Sequence, residues 1–156
     1  ILAAEPAGAP AMIDSLHKGK LVSLNTIDPF VDGAAVKQVG AKTFKIAKQV
    51  LNDIIPVPEG QICQTMIDLY QSDGIIAEPA GALSIAALEQ YKDLIKGKTV
   101  VCVLSGGNND ISRYPEIVES LEKNIILISQ FLLTKSIERS LIKKLPWKQE
   151  RIYLKQ

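Results

Sequence analysis

A chain of 156 residues that is 47% hydrophobic and 22% charged suits one soluble globular domain with a core of its own. A net charge of +1 gives no global attraction to nucleic acid, and the longest apolar-rich run, residues 125–133, falls far short of the roughly 20 residues that a membrane-crossing helix needs. One histidine and two cysteines, Cys63 and Cys102, with no CxxC spacing between them, argue against a zinc module and predict free thiols in a reducing compartment.

Charge is unevenly spread: residues 1–119 carry 10 Lys/Arg against 14 Asp/Glu, whereas 120–156 carry 8 against 3. The tail is expected to differ in kind from the body. Ile1 to Ala4 read as the end of a buried strand, so the chain is expected to be part of something longer. No basic segment followed by an apolar stretch and a cleavage site opens it, and no secretion signal is expected. Glu5-Pro6 then turns the chain into a helix running towards His17, with Pro6 in its first turn, where no amide donor is needed. Lys18-Gly19-Lys20 closes that helix. Asn25 to Gly33, with Asp28-Pro29 and Asp32-Gly33, is a long loop, which is the form of a binding loop or of a linker.

From Ala41 to Asn52, Phe44, Ala47, Val50 and Leu51 make a helical stripe opposite a solvated face of Lys42, Lys45 and Lys48. Asp53 to Val57 is a short strand, and a helix from Glu59 carries Ile62, Met66, Leu69 and Tyr70 on one side, Met66 as core filler. Gly74 to Ala77 is another short strand. Glu78-Pro79 then opens a helix of small residues that continues to Ile95. The hexapeptide Ala-Glu-Pro-Ala-Gly-Ala therefore occurs twice, at 4–9 and 77–82. Two readings stand: both copies solve the same turn problem, with Glu favouring a helix start and Pro its first turn, or both glutamates serve a shared site at strand ends. No longer repeat surrounds them.

Thr99 to Leu104 is an unbroken apolar run, expected to be a strand buried on both faces, and it ends in Ser105-Gly-Gly-Asn-Asn-Asp110. Ligands of open α/β sheets bind beyond the carboxyl ends of strands, which is where this turn lies; an ordinary strand-to-helix turn is the alternative. Ser112 to Pro115 leads into a helix ending near Glu122. Strand and helix alternate throughout, which predicts an α/β fold with a parallel sheet flanked by helices. Beyond it, Leu132, Ile137, Leu141 and Leu145 approximate a basic amphipathic helix, which is the form of a helix lying on an anionic membrane or a partner and, more commonly, of a docked or solvated terminal helix; Trp147 to Gln156 are expected to be poorly ordered.

Several chemistries are excluded. His17 lies in a predicted surface helix without a Gly-x-Ser-x-Gly elbow, so a Ser-His-Asp hydrolase fails. The Walker and dinucleotide fingerprints are absent. What remains is a polar turn after a buried strand, a long Asp-Gly loop and two Glu-Pro turns, a set able to hold a small polar ligand or ring cofactor.

Five ordered blocks carry a resemblance: Ala4-Glu-Pro-Ala-Gly-Ala-Pro-Ala-Met12, Val31-Asp-Gly-Ala-Ala-Val-Lys37 with Thr43-Phe44, Asp53-Ile-Ile-Pro-Val57, Ala77-Glu-Pro-Ala-Gly-Ala-Leu83 and Val103-Leu-Ser-Gly-Gly-Asn-Asn-Asp110. With them the chain resembles the fold-type II pyridoxal-phosphate enzymes, and within these the threonine dehydratase (threonine ammonia-lyase) family. The resemblance implies that residues 1–119 are part of the catalytic large domain and 120–156 a divergent tail. It implies pyridoxal 5'-phosphate as cofactor, held through Ser105 at the pyridine nitrogen, with Gly106 in the same turn, Gly33 close to the ring and Glu78 on the nitrogen side. The implied reaction is the β-elimination that converts L-threonine, or L-serine, to a 2-oxo acid and ammonia; for threonine this is the first step of isoleucine biosynthesis.

The same resemblance points to Glu5 and the carbonyl of Ala9 as ligands of a cation. Ala11 stands where relatives have an aspartate, so a monovalent or weakly held divalent ion is expected. The family's Schiff-base lysine, ring-contacting asparagine and phosphate loop are expected upstream of Ile1, so no catalytic residue is assigned in this chain and the isolated chain is expected to be inactive. The expected partners are a small amino-acid substrate, the missing N-terminal part of the same enzyme and further copies of the full-length protein; nucleic acid and membrane are not expected, and the location is cytoplasmic. A non-enzymatic α/β module that binds a small ligand or partner is the alternative, and a degenerate gene product a third.

Overall fold

The computed structural model describes residues 1–121 and 153–155. Strands β1 (Leu2–Pro6) and β2 (Asp53–Val57) pair in parallel, with Leu2 opposite Asp53 and Pro6 opposite Val57. Helices α1 (Ala11–Lys18) and α2 (Ala41–Val50) supply the crossover that a parallel pair requires. Pro6 does not start a helix as the sequence suggests. It is the last residue of β1 and fully buried. The Ala7 amide then donates to the Val57 carbonyl at 2.9 Å, which carries the ladder past the proline and delays helical bonding to Ala11.

Helix α1 buries Ala11, Met12, Ile13 and Ser15. Ser15 is the one buried polar residue among those described, and its hydroxyl is satisfied: it donates to Ala11 O at 2.6 Å and accepts from Val22 N at 3.0 Å. Gly19, at φ 66°, ends the helix in the left-handed form that suits glycine. The irregular stretch that follows runs on to Gly40, well past the expected Gly33. On α2 only Ala47 is buried, Val50 is 43% exposed, and Lys42, Lys45 and Lys48 face solvent as expected.

Helix α3 (Glu59–Asp73) buries Ile62, Cys63, Met66 and Leu69, but Tyr70 turns outward and is 55% exposed. Gly74 closes it at φ 67°. The expected strand from Gly74 to Ala77 is not formed. Gly74 is used in ending α3, the Ile75 amide returns to Leu69 O, and only the Glu78 amide reaches a carbonyl of the later chain, Gly106 O at 3.1 Å. The single helix expected from Glu78 to Ile95 is two, α4 (Pro79–Ala86) and α5 (Leu88–Ile95), which turn about Ala87.

Strand β3 (Val101–Val103) is shorter than the apolar run suggests and is not buried on both faces: Cys102 is buried, whereas Val101 and Val103 are 68% and 66% exposed. A 3-10 turn (Ile111–Arg113) and a helix, α6, over residues 114–121 follow. Strand β4 (Tyr153–Lys155) pairs in parallel with β3, in a stretch expected to be poorly ordered. The strands therefore form two parallel pairs among the described residues, and the amphipathic tail predicted around Leu132 to Leu145 lies outside those residues. One apolar cluster joins the Phe30-Val31 loop, Val57, α3, α4 and Ile117. Each fully buried side chain in it, Ile62 and Ile117 among them, contributes about 1.5–3 kcal/mol by leaving water. No described helix is long and apolar enough to cross a membrane.

Candidate functional site

The site is built from backbone that approaches backbone. The turn after β3 is drawn onto α4: Ser84 Oγ donates to Val103 O at 2.7 Å and Glu78 N to Gly106 O at 3.1 Å. At Gly81 any Cβ would strike the Gly106 carbonyl oxygen, and a Cβ on Gly107 would come within 2.6 Å of Ile76 O. Only glycine lets these two segments pass so closely.

The loop at Asp28–Gly33 meets the same place from the other side. The Asp28 amide donates to Gly8 O at 2.9 Å and its carboxylate accepts from Phe30 N at 2.9 Å. The buried side chains of Phe30 and Val31 then anchor the loop in the core. Gly33 is thereby pressed on α4, where its Cβ would be 2.9 Å from Ala80 Cβ and 3.7 Å from Glu78 Oε1. The Glu78 carboxylate lies directly over Gly106, where a Cβ would collide with it. Of the predicted cofactor residues, Gly33 and Gly106 thus both lie against the Glu78 carboxylate. Ser105 adjoins Gly106 in the chain, beyond the carboxyl end of β3, with its side chain exposed.

The two copies of the hexapeptide do different things. In the first, Glu5 leaves β1 and reaches forward to the start of α1, Oε1 accepting from Met12 N and Oε2 from Ile13 N, both at 2.8 Å. A carboxylate there answers unpaired amides and the positive end of the helix. Burial nevertheless raises its pKa, ahead of those two bonds, which lower it, and of Asp14, which adds to the rise. In the second copy, Glu78 is itself the residue before α4, Pro79 takes the first helical position, and the carboxylate makes no capping bond.

Glu5 and Ala9, the residues expected at a cation, each already accept hydrogen bonds, Glu5 from the start of the helix and the Ala9 carbonyl from Ala11 N at 3.0 Å. No group of three or more His, Cys, Asp or Glu able to hold a metal exists among the described residues. A groove of about 240 Å³ between α1, α2 and the amino end of β2, with His17 and Lys48 on its rim, includes none of the glycine cluster. The thiols of Cys63 and Cys102 are buried and free; burial pushes Cys63 up to about 12 and raises Cys102 as well, so both stay neutral at physiological pH.

Two features had no signal in the sequence. Asn109 buries both polar atoms of its carboxamide without a partner among the described residues. Arg113 reaches back 83 residues to donate to Phe30 O at 2.7 Å. A third, Gly81, lay in the repeated hexapeptide without being distinguished from its neighbours.

A polar turn beyond a strand of a parallel pair, closed against a helix start and an Asp-Gly loop, defines the class. The sequence pattern of the pyridoxal-phosphate dependent enzymes matches residues 1–106, and the chain belongs to that family, its fold part of a fold-type II domain. Over 119 residues it is 61% identical to L-threonine dehydratase biosynthetic IlvA of Halalkalibacterium halodurans and 55% identical to that of Bacillus subtilis. The processed form of threonine deaminase isoform 2 from Solanum lycopersicum superposes with a TM-score of 0.72 and 34% identity, covering 77% of this chain and 34% of that one. Maize serine racemase gives 0.67 and 28%, covering 80% and 38%. The two matched dehydratases are covered over 29% and 28% of their lengths, against 76% of this chain, so the chain spans under a third of these relatives.

Proposed function

We propose that residues 1–119 are the carboxyl-side part of the large catalytic domain of a cytoplasmic pyridoxal-phosphate lyase, and 120–156 a divergent tail. The substrate would be L-threonine, with L-serine as the second candidate, deaminated by β-elimination; threonine yields 2-oxobutanoate and ammonia, which opens isoleucine biosynthesis. The observation that carries this is the approach of Gly33 and of Gly106, next in the chain to Ser105, to the Glu78 carboxylate, in a chain so similar to named threonine dehydratases.

The residues present fit one side of the cofactor. Ser105 would offer the ring nitrogen a neutral hydroxyl, which hydrogen-bonds without forcing protonation as a carboxylate would. Gly33 and Gly106, whose missing side chains leave room for Ala80 and the Glu78 carboxylate, would bring the loop and the turn close enough to Glu78 for the three to line one side of the ring together. Glu78 would set a negative charge on that side. Pyridoxal phosphate, when bound, supplies the electron sink that makes the α-proton of an amino acid removable. No lysine of this chain stands in the family's Schiff-base context, so the remaining machinery, and any further copies needed for assembly, would come from the rest of the enzyme. Glu5 serves the helix first, and a cation there would be weakly held.

The test is spectroscopic. Pyridoxal phosphate titrated into the 156-residue chain should perturb its visible absorbance, the response should vanish in Ser105→Ala, and no threonine should be consumed. Turnover by the isolated chain would overturn the assignment of catalysis elsewhere. An equal response with and without the Ser105 hydroxyl would overturn the site.

A further inference from the structure

Between the Ser105 turn and the Gly33 loop the structure holds a link that the family's cofactor chemistry does not require. Asp110, at the end of the turn, accepts from Ser112 N through Oδ1 and from Arg113 N through its carbonyl, both at 2.9 Å, so the 3-10 turn is fixed to the glycine turn before it. From there the Arg113 side chain, 24% exposed, crosses to the other segment. Its Nη2 donates to Phe30 O at 2.7 Å, its guanidinium carbon lies 5.4 Å from the centre of the Phe30 ring, and its Nη1 is 3.5 Å from Asp32 Oδ1. Nε, 3.3 Å from Glu116 Oε2, ties the same group to α6. One planar cation thus makes a carbonyl bond, a stacking contact and two ion pairs, a combination for which arginine's fork is suited and lysine's point charge is not.

The residue after Asp32 is Gly33, whose backbone is pressed on Ala80 and the Glu78 carboxylate. Asp32 itself is 73% exposed and holds its neighbour only through the local bond from Gly33 N to Oδ1 at 3.0 Å. Phe30 and Val31 anchor the loop before this point; beyond Asp32 the chain turns through Ala34 and Ala35, whose amides return to Val31 O at 2.9 and 2.7 Å. We propose that Arg113 is a positioning residue: it couples the Ser105 turn to the Asp28–Gly33 loop and so holds Gly33 in place against the start of α4. Its meaning for cofactor binding rests on the function proposed above, whereas the coupling itself does not.

Hydrogen exchange on the full 156-residue chain separates the two. Arg113→Ala should speed exchange of the Ala34 and Ala35 amides about tenfold or more, while amides of the β1–β2 ladder keep their rates. Arg113→Lys should recover only part of the protection, because an ammonium cannot stack and fork together. Should the alanine variant not fold, Asp32→Asn keeps the local bond to Gly33, loses the ion pair, and should speed the same amides roughly two- to threefold. Unchanged exchange at Ala34 and Ala35, or an equal rise across β1 and β2, overturns the proposal.

In a second arm, pyridoxal phosphate affinity should fall in Arg113→Ala and partly return in Arg113→Lys. Exchange that rises while affinity holds would leave the coupling standing and overturn its meaning for cofactor binding, since the loop would then move without affecting the site. If the unaltered chain shows no response to pyridoxal phosphate, the cofactor reading fails, and the coupling is decided by exchange alone.

Discussion

A methyl group at Gly81 sets two effects of opposite sign against each other. Inside a helix, Gly→Ala ordinarily stabilises by about 1 kcal/mol, because glycine loses more backbone freedom on folding. Here the new Cβ would strike the Gly106 carbonyl oxygen and stand 3.0 Å from that residue's carbonyl carbon and amide nitrogen. Those atoms are backbone and cannot swing aside as a side-chain tip would. The carbonyl also accepts the Glu78 amide at 3.1 Å, so pushing it away weakens a bond at the start of the same helix. Overpacking costs about 1–3 kcal/mol and the lost bond about 1 kcal/mol. The steric side wins, and Gly81→Ala should destabilise the chain by roughly 1–3 kcal/mol after the helical gain is counted. Urea unfolding followed by far-ultraviolet circular dichroism reads this as a lower midpoint at unchanged slope. A higher midpoint would mean that α4 does not press on the glycine turn, and the close approach on which the candidate site rests would be refuted.

The paired glutamates should differ in the same assay. Glu5→Gln leaves one of the Met12 and Ile13 amides facing a donor and should cost about 1–2 kcal/mol, partly offset by the burial that already disfavours its charge; Glu78→Gln, with no capping bond to lose, should cost less. Asp110 has its pKa lowered, first by the Ser112 amide, then by the Ser112 hydroxyl and Arg113. Its contribution is therefore present above the ordinary aspartate value of about 3.9 and lost as pH falls through the lower folded value, so Asp110→Asn should flatten the acid limb of a stability-against-pH curve. Neither cysteine should react with a disulfide reagent in the native chain at mildly alkaline pH, and both should react at once in denaturant; prompt reaction of Cys63 in the native state would contradict its burial and raised pKa.

What the sequence disclosed follows from how local each signal is. Strand β2 begins and ends where its apolar run predicts, and Gly19 closes α1 as expected because a left-handed residue is a local demand; Gly74, expected to open a strand, meets the same demand at the end of α3. The grouping of Gly33, Glu78, Gly106 and Ser105 came from motif resemblance rather than periodicity; for Gly33 and Gly106 the geometry gives it a physical cause, since both press on the side chains at the start of α4, Glu78 for each and Ala80 for Gly33. Arg113 was invisible because its partners lie 83 residues away, and an arginine in a polar turn reads as solvated. The exposed Val101 and Val103 defeated the expectation of two buried faces for a related reason: an apolar run states what a strand prefers to touch, not which elements are present to touch it. Pro6 and Pro79 show the limit most directly, since identical neighbours place one at the end of a strand and the other at the start of a helix.

That last contrast bears on the order of folding. Six identical residues that adopt two shapes have no strong shape of their own, so each copy must wait for distant chain to arrive. For the first, the Gly8 amide bonds the Glu59 carboxylate 51 residues on; for the second, the Glu78 amide bonds Gly106. Both turns are therefore expected to be unformed in the folding transition state, where loop closure over long separations has yet to be repaid. Substitutions in either copy should speed unfolding and leave the folding rate nearly unchanged.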